Sequence, residues 1–125
     1  MKLVRNRIPQ IIIESGKTPR CHIADMSEFK RRLEDKMSEE LQEFREEPSV
    51  EEAADIYEVL RCLCWLHNIS MDSVIEAAAA KRSKRGSFTE GIVLETVAED
   101  IDEDWIEDDW STTSQGEVVG VREQK

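Results

Sequence analysis

Apolar side chains recur at helical spacing from residue 29 to 44: Phe29, Leu33, Met37, Leu41 and Phe44. At about 100° per residue they share a wheel arc of roughly 120°, which predicts an amphipathic helix. Ser27 followed by Glu28 marks its start, and it is expected to run to about Arg45. Pro48 and Ser49 are punctuation, and a second helix is expected from Ser49 to about His67. Between Ile56 and Leu66 that helix is apolar on nearly every side, interrupted by Glu58 and Arg61. Such a helix is expected to be central, packed on more than one face. Asn68 ends it, and Ser70 caps a third helix over 71–85 whose apolar face is Met71, Val74, Ala77 and Ala78. Gly86 stops that helix, and residues 86–94 read as a loop leading to a short extended segment. The first 25 residues, broken by Pro9, Gly16 and Pro19, admit either a short helix or an extended arm.

One polar residue disturbs the pattern. Glu40 falls at roughly 20° on the first wheel, between Phe29 and Leu33, so a carboxylate stands inside the core-facing stripe. Glu43 lies on its flank. On the next helix Glu52, Asp55, Val59 and Leu66 form one column. Glu40 and Glu43 are spaced i, i+3, and so are Glu52 and Asp55, so each pair projects from one helix face. In an antiparallel hairpin, residues equidistant from the turn lie level. This sets Glu43 opposite Glu52 and Glu40 opposite Asp55.

Charge alters this picture less than it first suggests. The 125-residue chain carries a net −11, but residues 95–125 hold 11 acids against 2 bases. The remaining 94 residues hold 17 acids and 15 bases, so overall acidity does not account for the four clustered carboxylates. The chain length supports one small domain, expected over 1–94, followed by an acidic tail over 95–125 that carries Trp105 and Trp110 as anchor candidates. VVGV at 118–121 is a candidate strand. No apolar run approaches the ~20 residues of a membrane span, and no signal-peptide pattern opens the chain. A cytoplasmic protein with no membrane contact is expected, and the acidic balance argues against direct nucleic-acid binding. Three cysteines, Cys21, Cys62 and Cys64, read as reduced core thiols. Zinc is disfavoured because paired C-x₂-C knuckles are missing and Cys62 points about 160° away from Cys64.

Two carboxylates ~5–6 Å apart repel by about 3 kcal/mol at an effective dielectric near 20. Four on facing helices require raised pKa values or a cation among them. All-oxygen ligands favour hard ions such as Mg²⁺, Mn²⁺ or Ca²⁺. Magnesium commonly shares itself between carboxylates and substrate phosphates, so the pattern points to phosphate-ester or pyrophosphate chemistry. Lys36, Lys81 and Arg85 are candidates to neutralise the remaining phosphate charge. Taken singly, the acids have structural explanations. Ser49 and Glu52 fit a capping box, Asp55 lies near a helix start, and Glu43 fits a solvated position. None of these explains Glu40 in the apolar stripe together with the level pairing of all four.

Glu39-Glu40-Leu-Gln-Glu43 followed by Glu52-Ala-Ala-Asp55 resembles the EExxE…ExxD signature of the MazG-like all-α nucleotide pyrophosphatases. The opening KLVRNRIP with KTP at 17–19, and KRSKRGSFTEGIVL at 81–94, are similar to the ends of a compact subgroup labelled phosphoribosyl-ATP-pyrophosphohydrolase-like. The resemblance covers residues 1–94, with Asn6 standing where the subgroup has Asp. It implies an all-α antiparallel bundle of about four helices, completed by homodimerisation or higher self-association. It implies Mg²⁺, or Mn²⁺, held by Glu40, Glu43, Glu52 and Asp55, with Glu39 orienting or activating water beside Glu40. Lys81 and Arg85 would then approach the phosphates, and so would the N-terminal basic cluster Lys2, Arg5 and Arg7. The reaction implied is hydrolysis of a nucleoside triphosphate between the α and β phosphates, releasing monophosphate and pyrophosphate, in nucleotide-pool house-cleaning. The competing expectation from another class is a non-catalytic helical protein whose acidic tail binds a basic partner. A cation-stabilised structural bundle stands third.

Overall fold

A computed structural model describes residues 1–98 of the chain. The tail expectations beyond that point, including Trp105, Trp110 and VVGV, lie outside the described residues. Four helices occur in order among those described: α1 Ile8–Glu14, α2 Met26–Glu46, α3 Val50–Leu66 and α4 Met71–Arg85. No strand occurs among them, so the expected extended segment before residue 94 is irregular backbone. The architecture is all-α. No described helix is long and apolar enough to cross a membrane.

Local chemistry explains the boundaries. The first 25 residues contain a helix of two turns, with Pro9 at its N-terminal turn, where a missing N–H is harmless. Gly16 closes this region at φ 92°, a conformation open to glycine without steric cost. The cap of α2 is Asp25 rather than Ser27: its extended backbone turns the carboxylate back to accept from Glu28 N at 2.9 Å. Ser49 caps α3, its Oγ accepting from Glu52 N at 3.1 Å. Asn68 adopts φ 60° just past α3, where a short polar side chain tolerates the left-handed region, and the Ser70 hydroxyl accepts from Ser73 N to open α4.

The chain divides into two compact units, Met1–Ala78 and one beginning at Ala79. In the first, the α2–α3 hairpin is the principal packing. Its core is small: Leu33, Val59 and Cys64 are buried, with Phe29, Met37 and Phe44 half-buried around them. Burying a side chain such as Leu33 contributes about 1.5–3 kcal/mol, so this core alone is thin. Phe29 and Trp65 meet edge to face with ring centroids 6.5 Å apart, tying the start of α2 to the end of α3.

The stripe on α2 needs one correction. Leu41 is 44% exposed while Glu40 is 5% exposed. Leu41 sits at one end of the apolar arc and Glu40 toward the other, between Phe29 and Leu33, and α3 covers the Glu40 side. The expectation that α3 is packed on more than one face also fails within a single chain. The column of Glu52, Asp55, Val59 and Leu66 turns inward, but the opposite face leaves Tyr57, Leu60 and Trp65 exposed.

Candidate metal centre

The hairpin brings Glu40 and Glu43 from α2 against Glu52 and Asp55 from α3. One carboxylate oxygen from each lies within 4.8 Å of all the others. Their spacing along each helix stacks them on one face, and the short Glu47–Ser49 connection makes them level across the pair. Glu40 is buried, Glu52 and Asp55 are half-buried, and Glu43 is the most open of the four.

Glu40 is held from one side. Lys36, one turn earlier, approaches its Oε2 at 3.3 Å and Glu39 Oε2 at 3.1 Å. Burial works against the Lys36 charge, but hydrogen bonds with Glu39 and Glu40 outweigh it and raise its pKa above the ordinary lysine value. The other oxygen of Glu40, Oε1, is buried without a hydrogen-bond partner, and so is Oε1 of Glu52. Buried carboxylate oxygens are costly to leave unpaired. Glu43 responds to the same crowding: the charge of Glu40, then burial, then the charge of Glu52 raise its pKa.

The capping explanation for Glu52 can now be judged on geometry. Ser49 makes its half of a capping box, but the buried Glu52 Oε1 makes no reciprocal bond. The carboxylate turns toward the other acids, so a cap explains the Glu52 N–H and not its side chain.

The donor set fits a hard divalent ion. All four ligand atoms are carboxylate oxygens, two of the carboxylates carry orphaned buried atoms, and the 4.8 Å limit is compatible with oxygens facing each other across one small ion. At metal–oxygen distances of about 2.1–2.4 Å, opposite ligands stand roughly 4.2–4.8 Å apart. Among the described residues this is the one grouping of three or more His, Cys, Asp and Glu side chains with such geometry. Cys21 is exposed, Cys64 is a buried core thiol, and burial with the nearby Glu58 charge pushes the Cys62 thiol up. The cysteines are thus not assembled for zinc or for nucleophilic chemistry.

Glu39 is half-buried beside the group, shared by Lys36 and, more loosely, by Lys2 at 3.9 Å. Lys2, Arg32 and Lys36 also converge on a cleft of about 120 Å³ that opens next to Glu39. Lys81 and Arg85 lie on the last turns of α4, exposed, past the end of the first unit. A contact the spacing did not anticipate is Arg5 Nη2 donating to Asp55 Oδ1 at 2.7 Å. The basic cluster Lys2, Arg5, Arg7 is visible in the sequence, but nothing in it links Arg5 to an acid 50 positions away.

No protein-family model, curated protein or solved structure matches the chain.

Proposed function

We propose that this chain is a magnesium-dependent nucleoside triphosphate pyrophosphohydrolase of the MazG-like kind, acting in the cytoplasm on the nucleotide pool. The observation that carries the reading is Glu40. Its carboxylate is buried at the middle of a helix–helix interface, with one oxygen unpaired and three other acids around it. A purely structural bundle gains nothing from that charge, since an apolar residue there would remove both the desolvation and the repulsion.

Glu40, Glu43, Glu52 and Asp55 would hold Mg²⁺, or Mn²⁺. The ion supplies neutralisation of phosphate charge and a lowered pKa for an attacking water. Glu39, outside the ligand set but beside Glu40, is the acceptor that orients that water. Lys36 fixes both carboxylates with two of its three N–H donors, leaving one for a phosphate oxygen. Hydrolysis is proposed at the α–β bond, giving monophosphate and pyrophosphate.

A second copy of the chain completes the fold. Val50, Tyr57, Leu60 and Trp65 share the side of α3 turned away from the acids; Tyr57 is 47%, Leu60 38% and Trp65 68% exposed. Arg61 falls within this face and pairs with Glu58 at 3.2 Å on its edge, so its charge is not left alone there. A stripe of this kind beside a thin core is expected to be covered by self-association.

The test is incubation with a panel of nucleoside triphosphates and Mg²⁺, resolving pyrophosphate from single-phosphate release. Pyrophosphate release that falls by orders of magnitude in Glu40→Gln is expected. No pyrophosphate from any substrate at high protein concentration would overturn the proposal, as would wild-type turnover in that variant.

A further inference from the structure

We propose that Arg5 is a transferable counter-charge: it neutralises Asp55 within the carboxylate cluster and passes to substrate phosphates when a divalent cation takes over that neutralisation. The inference rests on the reading that the four acids hold such a cation.

Three observations lead to it. First, Arg5 is bonded to one of the proposed ligand carboxylates. Its Nη2 lies 2.7 Å from Asp55 Oδ1, a distance that marks a charge-assisted hydrogen bond. A guanidinium stays protonated, so Arg5 cannot accommodate a second cation on that carboxylate by losing its charge. It competes for Asp55.

Second, the two arm cations are open to solvent while the helix cation is enclosed. Lys36 is 19% exposed and pinned between two carboxylates. The side chains of Arg5 and Lys2 are 59% and 66% exposed and come from backbone ahead of α1. Lys2 stands at a loose 3.9 Å from Glu39. The arm itself is located by Arg32, whose Nη1 donates to the Met1 carbonyl at 3.4 Å. The arm is therefore anchored near its start, with the two cationic side chains exposed beside the acids.

Third, these side chains stand at the exposed rim of a site whose buried side is acidic. Carboxylates that hold the cation from below and cations that approach from the rim match what a metal-bound polyphosphate presents. Arg5 binds Asp55 through one nitrogen, and its planar fork suits two oxygens of one phosphate group.

The consequence is a split in sign. Removing Arg5 removes a competitor for the ion and a ligand for the phosphates. Titration calorimetry of MgCl₂ alone, and of inorganic triphosphate in saturating Mg²⁺, reads the two separately, on the wild-type chain and on Arg5→Ala, Arg5→Gln and Arg5→Lys. Arg5→Ala and Arg5→Gln are expected to bind Mg²⁺ about two- to fivefold more tightly, the range for loss of a partly exposed ion pair. They are expected to bind triphosphate at least about tenfold more weakly, as for loss of a charge-assisted contact. Arg5→Lys keeps the charge and should stay near wild type for Mg²⁺ while losing part of the triphosphate affinity. Circular dichroism checks that each variant is folded, and the exposed Arg5→Gln serves if Arg5→Ala is not. Mg²⁺ affinity unchanged or weakened in both neutral variants overturns the proposal, and so does unaltered triphosphate binding. A wild-type chain that takes up no Mg²⁺ overturns the underlying metal reading, and this one with it. Uptake by the wild type with no gain in the variants overturns the role of Arg5 alone.

Discussion

Replacing Glu40 by glutamine should move stability in opposite directions with and without magnesium. Two unit charges 4.8 Å apart, the outer limit within the acid group, repel by ~3.5 kcal/mol at an effective dielectric of ~20. Glu52 and Asp55 thus oppose the Glu40 charge by roughly 7 kcal/mol together. Lys36 at 3.3 Å returns ~5 kcal/mol on the same scale. The remainder is about 2 kcal/mol against the charge; desolvation and the repulsion from Glu43 add to it, and the Arg5 charge on Asp55 offsets part of it. Solvent reaching the half-buried partners trims the pair terms, so a net gain of about 1–2 kcal/mol is expected for Glu40→Gln in EDTA. For a small domain this is a rise of roughly 5–15 °C in Tm. The glutamine amide can also donate to the neighbouring carboxylates, which strengthens the direction. In Mg²⁺ the order reverses. The wild type should gain about 2.7 kcal/mol at a hundredfold excess over its Kd, while Glu40→Gln gains little. Thermal melts in EDTA and in a Mg²⁺ series, followed by far-ultraviolet circular dichroism, read both halves. A variant less stable than wild type in EDTA would show that Glu40 is favourably paired, removing the electrostatic case for a cation. An equal Mg²⁺ shift in both proteins would place the ion elsewhere.

Two further outcomes follow from other parts of the molecule. Glu28 accepts from Arg32 at 2.7 Å and from His22 at 3.0 Å, and these partners, Arg32 first, lower its pKa. A lowered carboxylate contributes stability that is full above its unfolded value near 4.5 and is lost as pH falls through the folded value. Glu28→Gln should therefore be less stable than wild type at pH 7, with the difference closing in acid; urea melts at pH 7 and pH 3 decide it, and a gap that widens in acid would refute the assignment. Trp65→Glu, placed on the uncovered face of α3, should shift the chain toward monomer in sedimentation at micromolar concentration. A wild type that is already monomeric there would refute self-association through this face.

The fold and the position of the candidate site were legible along the chain to different depths. Apolar periodicity and punctuation at Pro48, Ser49, Asn68, Ser70 and Gly86 are local signals, set by groups within a turn or two of each other. They determined the α2 to α4 helices to within a residue or two, and equidistance from the turn determined that four acids would meet. Local reasoning placed the α2 cap at Ser27 where Asp25 provides it, because either side chain suits the role and backbone geometry chooses.

The tertiary structure decided what no local pattern contains. Which side of the apolar arc is covered depends on where α3 lies, and that placement buried Glu40 while exposing Leu41. Whether the Glu52 side chain completes the cap depended on where it turned, and its unpaired buried oxygen shows that it does not. The meeting of Arg5 with Asp55 joins positions 50 apart, and spacing carries no information about such contacts. Sequence determined which charges would gather, because helical geometry repeats. Tertiary structure decided which of them water would reach, because burial depends on what the rest of the chain covers.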